Sequence, residues 1–333
     1  MQICVTGARG FIGRTLVEAL SRQGHSIRVL TRETGNTFPA DIQVVIADLT
    51  RADCRLDSFV KDCDVLFHCA GELRDVNAMR PLHIEGLKRL LDAVEDEYAR
   101  AGKTVHWVQL SSVGAYGPPA GKPEADRVVT EKTAARPANE YEITKTLADE
   151  LVMQAGVKSG AMTYCILRPS NVFGAKMTNQ SLRRLILAVR RGIFFYIGQP
   201  GAIATYVHVA DVVAALMVCA TESRAKGQIY NLSQDCKLED LIKHIAARLG
   251  VKTPWLRIPG SLILIPVGLL SGLLKRWVRI PNLDALVLRT RYPTGKIESE
   301  LRFNFSKRMP AAIEDLLLEV VWSGTAGRGT RGT

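Results

Sequence analysis

Three glycines near the start of the chain constrain its fold more than any other feature. Gly7, Gly10 and Gly13 directly follow the apolar segment Gln2–Thr6, and an amphipathic segment begins at Phe11. Glycines at this junction allow a tight turn, a close backbone approach to pyrophosphate and close packing of a helix on a strand. The amide groups and the positive end of the helix then favour phosphate oxygens. The spacing therefore predicts a dinucleotide-binding fold.

Short apolar segments alternate with segments of helical periodicity through the first two thirds of the chain. The predicted strands are Gln2–Thr6, Ser26–Leu30, Gln43–Ala47, Val65–Cys69, Val105–Leu110 and Thr163–Leu167, and the predicted helices lie near Phe11–Gln23, Leu82–Arg100 and Tyr141–Gly156. This order favours a parallel sheet covered by helices on both faces. We therefore expect an α/β protein: a Rossmann-type doubly wound parallel sheet with a smaller C-terminal substrate-binding lobe.

The change in pattern along the chain predicts three regions. We expect an NAD(P)-binding Rossmann domain over residues 1–170 and a mixed substrate-binding lobe over 171–322, interleaved with the end of the sheet. Residues 323–333 are rich in glycine, arginine and threonine and predict a disordered tail.

Composition excludes several classes of protein. The seven cysteines are odd in number and contain no Cys-x-x-Cys pair, so neither a disulfide framework nor a metal site is expected. The net charge of +11 is spread along the chain without a recognition module, and we expect no nucleic-acid partner. The first apolar segment starts at Ile3, which leaves no room for a signal peptide and predicts a cytoplasmic protein.

The most apolar window is Leu262–Leu274. It spans 13 residues and contains Pro266, Gly268 and Gly272, whereas a membrane-spanning helix needs roughly 20 apolar residues. We expect a helix buried in the core. Because basic residues follow this window directly, a reversible peripheral contact with an anionic membrane surface is the alternative.

The residues after the second and third strands bear on the choice of dinucleotide. Arg32 stands near the position where NAD-binding proteins carry a carboxylate for the ribose hydroxyl. A guanidinium there suits the 2′-phosphate of NADP, and Arg9 in the glycine turn is a second candidate. We expect NADP, with NAD as the alternative. Asp48 and Leu49 are expected to meet the adenine, although Asp48 is also suited to the start of a helix.

Two Tyr-x-x-x-Lys matches are candidates for acid/base chemistry. Between Tyr292 and Lys296 lie a proline and a glycine, which exclude a shared helical face. Tyr141 and Lys145 begin a good helical segment, and four residues place them one turn apart. A nearby ammonium favours the phenolate and so should lower the pKa of Tyr141 toward neutrality.

A serine after the strand Val105–Leu110 completes the expected catalytic group. Ser112 could donate a hydrogen bond to the same substrate oxygen as Tyr141. Ser111 is its rival, and either serine could simply end the strand.

Six segments occur in an order that indicates a family. They are Gly7–Gly13, His68–Gly71, Ser111–Gly117, Tyr141–Lys145, Arg168–Gly174 and Val207–Asp211. Together they resemble the extended short-chain dehydrogenase/reductase family, also called the NAD-dependent epimerase/dehydratase family, over roughly residues 1–250. The resemblance implies hydride transfer, with Tyr141 as acid/base, Lys145 as its partner and ribose ligand, and Ser112 as the polarising hydroxyl.

The expected binding residues combine this resemblance with the motifs above. Those expected at the cofactor are Gly7, Arg9, Gly10, Phe11, Ile12, Gly13, Arg32, Asp48, Leu49, Ala70, Gly71, Ser111, Tyr141, Lys145, Pro169 and Val172. The resemblance also implies that Asn171 and His208 face the substrate, with a packed polar loop as the alternative for both. Arg183 is a candidate ligand for a diphosphate, or one of several charges on a solvated helix face.

The leading functional interpretation is an NADP-dependent ketoreductase of a nucleotide sugar, because Arg168–Gly174 and Val207–Asp211 resemble sugar-nucleotide members of the family. Gly114 stands where dehydratases and decarboxylases of the family carry an acid, which disfavours those reactions. The alternatives are an NAD-dependent nucleotide-sugar 4-epimerase, a 3β-hydroxysteroid-dehydrogenase-like enzyme and a non-enzymatic dinucleotide-binding regulator. The resemblance further implies a homodimer through the helices near Leu82–Arg100 and Tyr141–Gly156.

Overall fold

A seven-stranded parallel sheet is the centre of the computed structural model, which describes residues 1–35, 38–158, 160–177, 180–259 and 286–317. The strands are β1 Gln2–Thr6, β2 Ser26–Thr31, β3 Gln43–Ile46, β4 Val65–His68, β5 Val105–Leu110, β6 Arg127–Val128, β7 Met162–Pro169, β8 Asn171–Phe173, β9 Tyr196–Ile197, β10 Ile203–His208, β11 Gln228–Leu232, β12 Gln234–Lys237, β13 Arg257–Ile258 and β14 Thr290–Arg291. The α-helices are α1 Phe11–Arg22, α2 Asp57–Val60, α3 Val76–Arg80, α4 Leu87–Ala101, α5 Glu140–Lys158, α6 Ser181–Arg190, α7 Val209–Thr221, α8 Leu238–Leu249 and α9 Gly295–Leu301, and a π-helix over Pro81–Gly86 joins α3 to α4.

The strand order β3–β2–β1–β4–β5–β7–β11 defines where a ligand can bind. All pairings in this sheet are parallel. The chain proceeds from β1 outward to β3 and then resumes at β4 on the other side of β1, so the winding direction reverses between β1 and β4. Ligands of open α/β sheets bind beyond the carboxyl ends of the strands at such a point. The expected doubly wound Rossmann-type fold is confirmed.

Helices cover the two faces of the sheet because successive side chains of a strand point to opposite sides. Ile3 and Val5 of β1 pack in one core with residues of α1 and α7, whereas Cys4 packs in another with α4 and α5. A third core lies around α6 and α8, next to the small sheet β12–β10–β8. The later part of the chain also returns β11 to the edge of the main sheet.

Two expectations fall on parts of the chain outside the described residues: the apolar window 262–274 and the tail 323–333. Within the described ranges, no helix is long and apolar enough to cross a bilayer. The same ranges contain no cluster of three or more His, Cys, Asp or Glu side chains that could hold a metal ion.

A backbone contact fixes the turn after β1 against the end of β4. Gly7 has a φ of +67°, and a Cβ placed on it would lie 2.5 Å from the Cys69 carbonyl carbon and 2.6 Å from the Ala70 nitrogen. The Thr6 hydroxyl accepts a hydrogen bond from the Ala70 amide at 3.2 Å and lies 2.9 Å from Nδ1 of His68. Only glycine combines this backbone conformation with this approach.

Comparing Gly7→Ala with Gly24→Ala tests this contact. Gly24 has a φ of +73°, but a Cβ on it would meet nothing within 4 Å. Both substitutions should cost about 1–2 kcal/mol for the left-handed backbone, and Gly7→Ala should cost roughly 1–3 kcal/mol more because of the overlap. Urea denaturation measures both losses, and equal losses would contradict the close approach.

Candidate active site

The glycine turn leaves the start of α1 open to an anion. Gly10 is the N-cap residue and provides no side chain to cap the helix, and the first turn contains no acidic residue. The Gly10 amide donates to the Gly7 carbonyl at 2.9 Å, and a Cβ on Gly13 would lie 2.2 Å from that same oxygen. The first-turn amides, at Phe11 and Ile12, are therefore suited to phosphate oxygens.

The side chains at the adenosine end are arranged differently from the simplest expectation. Arg9 pairs with Glu33, a carboxylate two positions after β2 that the sequence analysis missed. Arg32 is exposed. Burial raises the pKa of Asp48, but hydrogen bonds from Thr50 and the charge of Arg32 outweigh burial and lower that pKa. Arg32 is thus the guanidinium beside the expected adenine site, and Arg9 has a carboxylate partner.

Asp48 and Leu49 have structural roles in addition to their expected contact with adenine. Asp48 Oδ1 accepts hydrogen bonds from the Thr50 amide at 2.9 Å and from the Thr50 hydroxyl at 2.8 Å. Leu49 is buried in the core beside α4, and its carbonyl accepts a hydrogen bond from Arg89 at 2.8 Å. The Leu49 side chain therefore packs in the core next to α4.

The nicotinamide end is expected where β4, β7 and β8 end. Ala70 is partly buried and is held by Thr6, and a Cβ on Gly71 would lie 3.5 Å from Nε2 of His83. Pro169 is buried at the end of β7, whereas Val172 in β8 is partly buried. Ala70, Gly71 and Pro169 lie at the carboxyl edge of the main sheet, and Val172 lies in the neighbouring three-stranded sheet. Their contact with the nicotinamide stays a prediction.

Tyr141, Lys145 and Ser112 come together across the junction of α5 and β5. Ser112 lies beside Tyr141, where it opposes the effect of burial on the phenol pKa, and its hydroxyl oxygen accepts the Gly114 amide at 3.0 Å. Lys145 is buried, and its ammonium donates to the Leu110 carbonyl at 2.5 Å. A phenol, a hydroxyl and an ammonium at one point can polarise a carbonyl and donate a proton to it.

The pKa of Tyr141 corrects one expectation. Burial raises this pKa, the hydrogen bond with Ser112 opposes the rise, and the charges of Asp149 and Glu142 add to it. Burial also lowers the pKa of Lys145, against the charge of Asp149. The predicted lowering of the phenol pKa by Lys145 is therefore wrong, because desolvation of the phenol dominates.

The Ser111 hydroxyl belongs to a buried charge network, and its expected contact with the cofactor stays a prediction. This hydroxyl donates to Oδ2 of Asp149 at 2.7 Å, and the same oxygen accepts Arg168 at 2.9 and 3.1 Å. Asp149 lies one turn beyond Lys145 on α5 and is fully buried. The network places one carboxylate between the two buried cations Lys145 and Arg168, and it leaves Ser112 as the serine beside Tyr141.

Two buried histidines adjoin this site, and the sequence analysis assigned neither a role. His83 lies in the π-helix with its ring 6.1 Å from the Tyr141 ring. Its Nε2 accepts the Glu72 amide at 2.8 Å, so Nδ1 carries the proton and donates to the Thr144 hydroxyl at 2.8 Å. Burial lowers the pKa of His83 to about 4 and that of His68 to about 3.

The three expected substrate residues lie on β8, at the end of β10 and on α6. Asn171 is exposed, and its amide donates to the Thr205 carbonyl at 3.0 Å. His208 caps α7 by accepting the Ala210 amide at 3.2 Å, and it is buried. Arg183 is partly buried on α6. These contacts occupy the Asn171 amide and one imidazole nitrogen of His208, and the substrate role of both residues stays a prediction.

The second Tyr-x-x-x-Lys match does not form a comparable pair. Tyr292 follows β14, outside the helix that contains Lys296. The Lys296 ammonium donates to the side chain of Gln228 at 2.9 Å and to the Ile229 carbonyl at 3.0 Å. The prediction that this match lacks the helical geometry is confirmed.

Comparison with known proteins gives the family directly. Residues 3–233 match the model of the NAD dependent epimerase/dehydratase family. The chain belongs to this family. Its members include oxidoreductases of the short-chain dehydrogenase/reductase superfamily, and the sequence-based assignment is confirmed.

Individual relatives differ in what they act on. The chain is 30% identical over 245 residues to a 4-hydroxy-2-methyl-3-oxo-4-farnesyl-3,4-dihydroquinoline-1-oxide ketoreductase of Stigmatella aurantiaca, covering 72% of this chain and 70% of that protein. It is 27% identical over 297 residues to 3beta-hydroxysteroid-dehydrogenase/decarboxylase isoform 2 of Arabidopsis thaliana, covering 79% of this chain and 50% of that protein. MoeE5, solved in complex with UDP-glucose and NAD, superimposes with a TM-score of 0.70 at 22% identity, covering 98% and 99% of the two chains, and shows the shared fold.

The buried state of His83 predicts a pH dependence of stability. The folded-state pKa is about 4 against an ordinary value of 6.5, so below pH 6.5 the unfolded chain binds a proton that the folded chain cannot. The stabilisation is complete above pH 6.5 and is lost toward pH 4, at about 1.4 kcal/mol per pH unit. Urea unfolding at pH 7, 6 and 5 should therefore give a smaller slope for His83→Gln by about that amount. An unchanged slope would contradict the neutral, buried imidazole.

Proposed function

We propose that this protein is an NADPH-dependent ketoreductase in which Tyr141 donates a proton to the carbonyl oxygen of the substrate. The observation that carries the proposal is the placement of Ser112 beside Tyr141, with Lys145 buried one turn further along α5. Because the pKa of Tyr141 is raised, its phenol stays protonated at neutral pH. A protonated phenol is the form that ketone reduction needs.

NADPH supplies a hydride to the carbonyl carbon when it is bound. The Ser112 hydroxyl polarises the carbonyl, and Tyr141 gives its proton to the developing alkoxide. Lys145 is proposed to bind the ribose. Its positive charge would also stabilise the phenolate that forms when Tyr141 has lost its proton. In the reverse direction a carbinol would be oxidised, with its hydride returning to NADP⁺ and its hydroxyl proton to the Tyr141 phenolate.

The binding residues fit a phosphorylated dinucleotide. The open amides after Gly10 suit the pyrophosphate, and exposed Arg32 suits a 2′-phosphate. A groove of about 600 Å³ next to Arg9 is lined by further cations on and near α1, namely Arg14, Arg22 and Lys176. Their charge attracts a phosphate at this end of the site. The alternative cofactor is NAD. It is favoured if the Glu33 carboxylate leaves Arg9 and accepts a hydrogen bond from the ribose hydroxyl.

The named relatives favour a ring ketone as substrate. One is a ketoreductase of a 3-oxo dihydroquinoline oxide and the other a hydroxysteroid dehydrogenase/decarboxylase. On α6, Arg184 and Arg190 are exposed to solvent rather than buried in a cleft, which weakens the case for a diphosphate site. A nucleotide sugar is the second candidate because MoeE5 shares the fold and binds UDP-glucose.

Tyr141→Phe tests the acid. The variant should fold and bind NADPH but lose roughly 10²–10⁴-fold in turnover, which is the usual contribution of a general acid. The assay is NADPH oxidation with a panel of 1-tetralone, 3-keto steroids and 4-keto nucleotide sugars, alongside calorimetric cofactor binding.

The matched control is Tyr98→Phe, which removes a phenol from α4 near Gly160, ahead of β7 and away from the carboxyl edge of the sheet. Tyr98→Phe should keep its turnover. Near-native turnover of Tyr141→Phe would contradict the proposed mechanism, and the panel separates the ring ketone from the nucleotide sugar.

Arg32→Asp tests the cofactor. Repulsion replaces attraction for the 2′-phosphate, so the preference for NADPH over NADH should fall by at least tenfold, given about 1.5–3 kcal/mol for a hydrogen bond to a charged group. Arg224→Asp, an equal change of charge ahead of β11, should leave the ratio of KM values unchanged. If the two variants have the same ratio, the phosphate is not bound by Arg32.

A further inference from the structure

We propose that Glu142 binds a hydroxyl group of the substrate next to the reacting carbonyl, so that the enzyme prefers hydroxyketones to simple ketones. The inference rests on the proposed ketoreductase function and specifies its substrate. Two observations support it. The Glu142 side chain lies near Ser112, and only one of its two carboxylate oxygens is used in capping the helix.

The Glu142 side chain lies over Gly114, at the edge of the catalytic group. A Cβ placed on Gly114 would be 3.2 Å from Cγ of Glu142, 3.9 Å from its carboxyl carbon and 3.3 Å from the Ser112 hydroxyl oxygen. The absence of a side chain at 114 therefore leaves room for Glu142. It also brings this carboxylate to the side of the serine that polarises the substrate oxygen.

One oxygen of Glu142 already has a role in the helix. Oε2 accepts the Ala138 amide at 2.8 Å, and the Glu142 amide donates to the Asn139 side chain at 3.0 Å. These reciprocal bonds at the start of α5 resemble a capping box, which uses one carboxylate oxygen. Oε1 accepts no hydrogen bond from the described residues, so it is left to accept one from a ligand.

The charge of Glu142 reaches the reacting group. After burial and Asp149, Glu142 contributes to the raised pKa of Tyr141. It also contributes, after burial and Asp235, to raising the pKa of Tyr292 to about 12. A carboxylate near Tyr141 and Ser112 accepts hydrogen bonds and repels anions. It therefore selects a neutral hydroxyl donor beside the carbonyl that Tyr141 protonates.

A purely structural role for Glu142 as a helix cap makes a different prediction. A cap contributes to stability and so affects the turnover of every substrate in the same proportion. A hydroxyl-binding carboxylate affects hydroxyketones more than ketones. Comparing 2-hydroxy-1-tetralone with 1-tetralone, which differ only in that hydroxyl, separates the two roles.

Three variants complete the test. Glu142→Gln keeps an amide oxygen for the Ala138 cap but removes the charge, and it should reduce the ratio of kcat/KM for the hydroxyketone over the ketone by about tenfold. Glu142→Ala should lose the ratio and the cap. Adding Gly114→Asp to Glu142→Ala returns a carboxylate to this place but not the helix cap, so it should restore much of the ratio. The aspartate has room because Cγ, the Glu142 atom nearest to position 114, is absent in Glu142→Ala.

The outcomes separate this proposal from the one on which it rests. A wild-type preference for the hydroxyketone that falls in Glu142→Gln and returns with Gly114→Asp supports the assignment. The proposal is overturned if the ratio of kcat/KM for the hydroxyketone over the ketone is equal in all variants and their losses of turnover follow the free energy of unfolding. Glu142 would then be a helix cap alone. If the wild type reduces neither tetralone nor any other ketone of the panel, the ketoreductase function itself fails.

Discussion

The contact between the Gly7 backbone and the Cys69–Ala70 peptide is the constraint from which the site is built. It joins the end of β1 to the end of β4, where the winding of the sheet reverses. On one side of the contact lie the first-turn amides of α1, which are proposed to bind the phosphates, and on the other side lies Ala70, which is proposed to begin the nicotinamide wall. A larger residue at position 7 would separate these two halves.

Buried charge determines the chemistry of the site. Lys145, Asp149 and Arg168 are all buried, and Asp149 is the carboxylate that lies between the two cations. Unpaired charges in such a place would be strongly destabilising. Burial of Tyr141 raises the pKa of its phenol and so keeps the phenol protonated, which is the form that the proposed acid requires. The neutral histidines beside it add no competing positive charge near neutral pH.

Local pattern predicted the strands well. The boundaries of β1 and β5 match the prediction to the residue, because an apolar segment between turn residues is sufficient to define a buried strand. β7 extends beyond the predicted Thr163–Leu167 because its pairing with β11 continues to Pro169. The helix expected from Leu82 instead begins at Val76 and passes through a π-helix, held in part by bonds from His83 to distant residues. Such bonds have no local sequence signal.

The site shows the same division. Helical spacing predicted that Tyr141 and Lys145 share a helix, and both lie on α5, while Ser112 follows the predicted strand β5. The bond from Ser111 to Asp149 joins residues 38 positions apart, so nothing local could distinguish Ser111 from Ser112. The pairing of Arg9 with Glu33 and the place of Glu142 over Gly114 also depend on folding. A homodimer, a cytoplasmic location and the division into domains stay predictions.

Direct transfer of hydride to a ketone is the central claim, and isotope labelling tests it most directly. The protein is incubated with NADPH deuterated at C4 on the transferring face and with the ketone that it reduces fastest, and the product is analysed by mass spectrometry and NMR. Direct hydride transfer predicts one deuterium per product molecule, on the carbinol carbon. An unlabelled product formed without oxidation of NADPH would indicate epimerisation with a retained cofactor, and no product with any ketone would indicate a binding protein; either result would contradict the account.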